Sequence, residues 1–263
     1  MNSPPPPRPL AVITGASAGI GYQLALLFAK AGYDLVATGR SDRIFSVADD
    51  FSEFGATVHA VQADLAQYEQ VETLWDKTMS LGRPIDVAVI NAGIGVGGAS
   101  FADTDLAQEL NLIQLNCASV VHLAKRVVVH MKANRRGRIL ITSSISATQP
   151  TPYETVYGPT RAFTYSFAES LREELRHDGI VVTALLPGAT DSDFHARAGM
   201  GNTAIGRMKK NDRTRVARQG YDALMKGRDH VVGGDLATKF QALLNRFLPE
   251  PVKAARQGKA ARP

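Results

Sequence analysis

The sequence predicts a doubly wound α/β domain: a parallel seven-stranded sheet with helices on both faces. Three observations predict it. Short, β-branched apolar runs alternate with longer helical patterns. The runs are mostly apolar, without the strict alternation of half-exposed strands, as strands covered on both faces are. No internal repeat or Pro/Gly/Ser-rich linker breaks the stretch between residues 10 and 249. At 263 residues, 44% apolar and 21% charged, the chain can bury one core of that size.

Strands are expected over 10–14, 34–38, 57–62, 87–91, 138–143, 181–186 and 230–232. Helices are expected near 20–31, 43–54, 68–81, 104–133, 157–177, 213–227 and 236–248. Right-handed crossovers between parallel strands then place helices on both faces. Residues 1–8 are rich in proline and read as a flexible arm without the charged-then-apolar pattern of a signal peptide. Residues 9–249 read as the single domain, with a glycine-containing substrate loop at about 188–212. Residues 250–263, basic and rich in alanine, read as a flexible tail.

Composition excludes several functions. The one cysteine, Cys117, excludes a disulfide framework and a cysteine-built metal site. The six histidines form no H-x-x-x-H pair, so no metal is expected. No uncharged apolar run approaches the roughly 18 residues of a membrane span. The cytoplasm is the expected location. The net charge of +5 is uneven: from Arg207 onward stand 14 Lys/Arg against 5 Asp/Glu, leaving the preceding 206 residues at −4. That basic quarter reads either as solvated surface or as attraction to an anionic partner. Aromatics do not interleave with it as a base-stacking platform requires, so no nucleic-acid partner is expected. Leu236, Phe240, Leu243, Leu244, Phe247 and Leu248 share one helical face. That face suits a core or subunit-contact helix, and secondarily a weak peripheral membrane contact.

The first expected strand runs into Thr14-Gly15-Ala16-Ser17-Ala18-Gly19-Ile20-Gly21. A G-x-x-x-G-x-G loop between strand and helix turns sharply and admits a pyrophosphate close to the backbone. The following helix aims free N–H groups and its positive end at the phosphates. This is the dinucleotide-binding arrangement of a Rossmann-like domain. Nineteen residues past Gly21, where a carboxylate would bind the adenosine ribose of NAD, stands Arg40. A guanidinium suits a 2′-phosphate, which favours NADP(H) over NAD. The alternative is a surface arginine with Asp42 reading the ribose.

With this loop the chain resembles the short-chain dehydrogenase/reductase family, and later motifs extend the resemblance over roughly residues 9–234. Asp64-Leu65 follows the third strand, where the family sets an Asp against adenine. Asn91-Ala92-Gly93 matches its N-A-G signature, and Asn116 its active-site Asn. Ser143-Ser144 ends the fifth strand, with Tyr157 thirteen residues past Ser144. Pro187-Gly188 ends the sixth, with Ser192 where a hydroxyl meets the nicotinamide carboxamide. One position departs: the Y-x-x-x-K motif reads Tyr157-Gly158-Pro159-Thr160-Arg161.

The resemblance implies hydride transfer between NADP(H) and a carbonyl or secondary alcohol, with a small-molecule substrate and a homodimer or homotetramer. It implies Asn116, Ser144, Tyr157 and Arg161 as catalytic. It implies Gly15, Ser17, Gly19, Ile20, Gly21, Arg40, Asp64, Leu65, Asn91, Ala92, Gly93, Tyr157, Arg161, Pro187, Gly188 and Ser192 as cofactor-binding. The chemistry supports these roles. A phenol transfers protons near neutral pH when a cation one helical turn away favours its anion. Arg161 keeps that charge, but its planar, permanently protonated group is not equivalent to an ammonium. A cofactor-binding sensor or scaffold with weak catalysis is therefore the second reading. Ser143 and Ser144 also suit strand-end caps, and Asn116 a buried kink.

Overall fold

Seven strands form one parallel sheet in the order β3-β2-β1-β4-β5-β6-β7. The structure, a computed structural model, describes residues 7–263. The strands are β1 (Leu10–Thr14), β2 (Asp34–Gly39), β3 (Val58–Gln62), β4 (Val87–Ile90), β5 (Gly137–Thr142), β6 (Ile180–Pro187) and β7 (His230–Gly233). The helices are α1 (Gly19–Lys30), α2 (Arg43–Ser52), α3 (Tyr68–Met79), α4 (Leu106–Ile113), α5 (Ser119–Asn134) and α6 (Tyr157–Glu174). They continue as α7 (Phe194–Arg197), α8 (Ala204–Arg207), α9 (Arg213–Met225), α10 (Leu236–Asn245) and α11 (Glu250–Ala261).

Alternation along each buried strand sends side chains to two cores. Leu10 and Val12 join Leu74 of α3 and Val127 and Met131 of α5 on one face. Ala11 and Ile13 join Phe28 of α1, Phe51 of α2 and Leu224 of α9 on the other. The strand order reverses between β1 and β4, which opens the ligand crevice of such sheets at their carboxyl ends.

Three expectations are corrected. The helix expected over 104–133 is divided: a π turn, Gln114–Ala118, separates α4 from α5. The run Leu106–Asn134 is long and apolar enough, at a mean hydropathy of 1.3, to pass for a membrane span. Here Leu112, Leu123, Val127 and Met131 are buried in the protein. The tail expected over 250–263 is instead α11. Its alanines favour a helix, Pro251 is accommodated in the first turn, and Lys253, Gln257 and Ala261 bury one face at four-residue spacing. Of the arm read over 1–8, residues 1–6 lie outside the described residues. Arg8 is tied down, its guanidinium 3.5 Å from the Asp34 carboxylate.

One threonine joins the strand ends at the crevice. The buried Thr14 Oγ1 accepts from the backbone N–H groups of Asn91 (2.8 Å) and Ala92 (3.0 Å) and donates to the Val89 carbonyl (3.3 Å). Asn91 donates to the Thr14 carbonyl at 3.1 Å and accepts from Thr142 Oγ1 at 3.0 Å. Side chains thus lock the ends of β1, β4 and β5 in register. Thr14→Val keeps the shape and orphans two part-buried backbone donors. We predict a loss of about 2–4 kcal/mol in urea unfolding; a change below about 0.5 kcal/mol would contradict the role given to this hydroxyl.

Candidate active site

The loop after β1 is built for close approach. Gly15 and Gly19 take φ of 68° and 59°, conformations that side chains resist. A Cβ on Gly21 would collide with the Gly15 carbonyl and the Asn91 amide. Ala18 caps α1 without a side-chain hydrogen bond, so the first-turn donors are not taken by a side chain. Ile20 packs against the core beneath. Ser17 lies against the end of β2, where a Cβ on Gly39 would come within 2.8 Å of its Oγ. Arg40 follows, exposed, its carbonyl accepting from Gln62. The cradle and the helix end together fit the pyrophosphate of a dinucleotide.

Farther along the crevice, Asp64 ties its own turn: its Oδ1 accepts from the Ala66 N–H at 3.1 Å. Leu65 is a core side chain and offers only its backbone. Ala92 lies half-buried after Asn91. A Cβ on Gly93 would collide with the Arg161 guanidinium and come within 3.0 Å of Asn116 Oδ1. Pro187 ends β6. Gly188 is wedged against Thr238 and Asn211, and Ser192 faces Gly19 across the crevice.

The four expected catalytic residues are supported by three elements. The π turn buries Asn116 completely. Its amide accepts from the Ile94 N–H at 3.0 Å and donates to the Ile94 carbonyl at 2.9 Å and to Thr160 Oγ1 at 3.1 Å. Ser144 caps the 3-10 turn Ile145–Thr148, accepting from the Ser146 N–H at 3.1 Å. Its neighbour Ser143 donates to the Arg161 carbonyl at 2.7 Å, which fixes the end of β5 against α6. Tyr157 opens α6, and one turn later Arg161 sets its guanidinium carbon 5.0 Å from the Tyr157 ring centre. Arg161 is only 4% exposed. It donates to the Thr142 carbonyl at 3.3 Å, while its Nε is buried without a partner. A buried cation with spare donors, facing a crevice floored by glycine, fits the hydroxyls of a bound nucleotide.

The remaining walls come from loops. Phe194 of α7 lies 5.4 Å from Tyr157, ring centre to ring centre, and covers Gly95. The Gly97 N–H donates to the Ala198 carbonyl and the Gly98 N–H to the Tyr153 carbonyl, both at 2.9 Å. The substrate loop is therefore joined to the 94–99 loop and to the segment before Tyr157. A cleft of about 590 Å³ runs along it, lined by Asp191, Lys210 and Arg213 among others. Burial, with Lys210 nearby, lowers His195 to about 4, which keeps its ring neutral beside Phe194. Glu154 is buried between Gly97 and α11 and accepts from Gln257 Nε2 at 3.0 Å. Sequence reasoning missed Thr14, Glu154 and Gln257 as contributors. Thr14 stood beside the glycine loop as a signal, whereas nothing local marked the others. Glu169, Asp229 and His230 group their ligand atoms at the start of β7, the opposite end of the sheet.

Residues 9–202 match the family model for short chain dehydrogenases. An uncharacterised short-chain type dehydrogenase/reductase of Sinorhizobium fredii is 36% identical over 189 residues, covering 72% of this chain and 73% of that protein. A short-chain dehydrogenase from Sphingobium yanoikuyae, solved in complex with NADPH, superposes with a TM-score of 0.81 at 27% identity; the match covers 95% of this chain and 94% of that one. The 3-ketoacyl-(acyl-carrier-protein) reductase from Brucella melitensis, complexed with NADH, gives 0.75 at 25% identity over 87% and 96% of the two chains.

Burial pushes the Glu154 carboxyl up from 4.5 to about 7. The folded state therefore holds the proton more tightly than the unfolded chain. The stability this contributes is full below about pH 4.5 and is lost as pH rises through about 7. Glu154→Gln stays neutral and keeps an acceptor for Gln257. We predict that its stability advantage over the parent grows from near zero at pH 4.5 to about 1–3 kcal/mol at pH 8 in denaturant titrations. A gap independent of pH would contradict the assignment.

Proposed function

The chain belongs to the short-chain dehydrogenase family, and we propose that it is an NADP(H)-dependent oxidoreductase acting on a carbonyl or secondary alcohol, with Tyr157 as acid/base. The observation that carries this reading is Arg161: a buried guanidinium beside the Tyr157 ring, against Gly93 and Asn116, with donors to spare. The family relationship makes a nicotinamide cofactor the hydride donor or acceptor. The choice of NADP(H) rests on Arg40 and is supported by the NADPH complex of the Sphingobium relative. The NADH complex of the Brucella relative makes that choice one to be measured.

The protein's own groups have distinct tasks. The Gly15–Gly21 cradle and the α1 N-terminus receive the pyrophosphate. Arg40 receives the 2′-phosphate. Arg161 holds the nicotinamide ribose hydroxyls, and Ser192 faces the carboxamide. Ser144 Oγ orients the substrate oxygen toward Tyr157. The Tyr157 hydroxyl donates a proton to that oxygen in reduction and takes it back in oxidation. His195, neutral beside Phe194, adds no charge to this end of the pocket. The apolar side chains exposed by α4, α5 and α6, among them Leu106, Leu110, Val129 and Phe163, support association of copies of this chain.

The test is NADPH consumption, followed by absorbance, against a panel of carbonyl compounds. Tyr157→Phe is expected to lower kcat by about 10²–10⁴-fold with NADPH binding retained. Arg40→Asp is expected to move preference toward NADH by about tenfold or more. Arg161→Lys is expected to raise kcat/KM, because a compact ammonium both reaches the ribose and can relay a proton. Tight NADPH binding with no turnover of any carbonyl would instead favour a sensor or scaffold.

A further inference from the structure

Residues 145–156 join the two groups expected to handle the substrate oxygen, Ser144 and Tyr157. This connection is strapped from outside by the two C-terminal helices. Asn245 of α10 donates to Thr148 Oγ1 at 2.8 Å and to Gln149 Oε1 at 3.1 Å. From α11, Lys253 donates to the Thr148 carbonyl at 3.5 Å, and Arg256 to Gln149 Oε1 at 3.2 Å. Gln257 makes the deepest contact: it accepts from Gln149 Nε2 at 2.8 Å and donates to Glu154 at 3.0 Å. Gly258, next along the helix, lies against Pro152 and Tyr153.

Glu154 passes the constraint inward. Its carbonyl accepts from the Gly158 N–H at 3.2 Å, inside the first turn of α6, and from Thr151 Oγ1 at 3.0 Å. Its side chain leaves no room for a Cβ on Gly97, a site where Met200 of the substrate loop also closes in. Beside it, Tyr153 is held at φ 64°, left-handed for a non-glycine residue, with its carbonyl engaged by Gly98. Strain of that kind persists where the surroundings over-determine the backbone. The surroundings here are α11 on one side and the 94–99 loop on the other.

We propose that α11 is a specificity element of this active site: Gln257, acting through Glu154, positions the Pro152, Tyr153, Gly97 and Met200 wall against which the larger substituent of the substrate packs. Pro152, Tyr153, Met200 and the nearby Phe194 are apolar or aromatic, so the ligand class is a carbonyl compound bearing a bulky apolar or aryl group. Gln257 and Glu154 are positioning residues and touch no reacting atom. The proposal rests on the carbonyl-oxidoreductase reading above.

The experiment compares the full-length parent, Gln257→Ala and Glu154→Gln with two probes, acetophenone and acetone, alongside hydrogen exchange of the NADPH-bound proteins. In Gln257→Ala, amides of 149–158 and 194–203 are expected to exchange about tenfold faster, with the β-sheet amides unchanged. Its KM for acetophenone is expected to rise about tenfold, while kcat, the KM for acetone and the NADPH Kd stay within about twofold. Glu154→Gln, which keeps the acceptor, is expected to exchange no faster than the parent and to match it in KM. Unchanged exchange in 149–158 overturns the proposal, as does an equal effect on both ketones or on NADPH binding. If the parent reduces no carbonyl, the functional reading fails by itself, and the exchange measurement still decides whether Gln257 holds this wall.

Discussion

A guanidinium taken out of water is the constraint on which this site depends. Removing Arg161 from solvent costs several kcal/mol unless its surroundings compensate. The Thr142 carbonyl and the Tyr157 ring supply part of that compensation. The rest of the geometry follows from making room for the group. Position 93 must be glycine because a Cβ would occupy the space of the guanidinium. Asn116 comes up to the same glycine, its amide fixed by bonds to Ile94 and Thr160. The Arg161 backbone is anchored to the end of β5 by Ser143. An arginine at this position is thus accommodated by its neighbours, with donors left over for a ligand.

The sheet delivers these pieces to one place. A parallel sheet directs its carboxyl ends to a common edge, and the reversal of order between β1 and β4 leaves a gap there. Thr14, Asn91 and Thr142 close that edge with side-chain hydrogen bonds, so the cradle on β1 and the groups proposed as catalytic beyond β5 keep a fixed relation. Around this rigid floor the walls are loops, as is usual where binding residues sit on a stable scaffold. Here they brace one another: the 94–99 loop bonds both to the substrate loop and to the Tyr153 carbonyl.

Much of this was legible in the sequence because its signals are local. Strands covered on both faces read as short, mostly apolar, β-branched runs, which gave all seven strands to within a residue or two. The glycine loop, Arg40, and the Ser144–Tyr157–Arg161 spacing are likewise readable without tertiary information. What escaped reading depends on contacts distant in sequence. Nothing near residue 257 announces that it meets Glu154, 103 positions away. The alanines of 250–261 read as a loose tail because their partner, the 148–154 segment, is invisible to periodicity. The π turn at Asn116 escaped because a one-residue excess in a helix leaves the apolar pattern almost intact. The outward residues of α10, including Leu236 and Phe240, and Phe247 just past it are exposed rather than core, a distinction that amphipathicity alone does not make.

The central proposal is that the buried cation at position 161, with its spare donors, is kept for the cofactor. Its most direct test is NADPH binding with arginine, lysine or methionine at 161. The account predicts that the arginine and lysine proteins bind NADPH within about tenfold of one another, and that methionine weakens binding by about tenfold or more. A methionine variant that binds NADPH as tightly as the parent would contradict it.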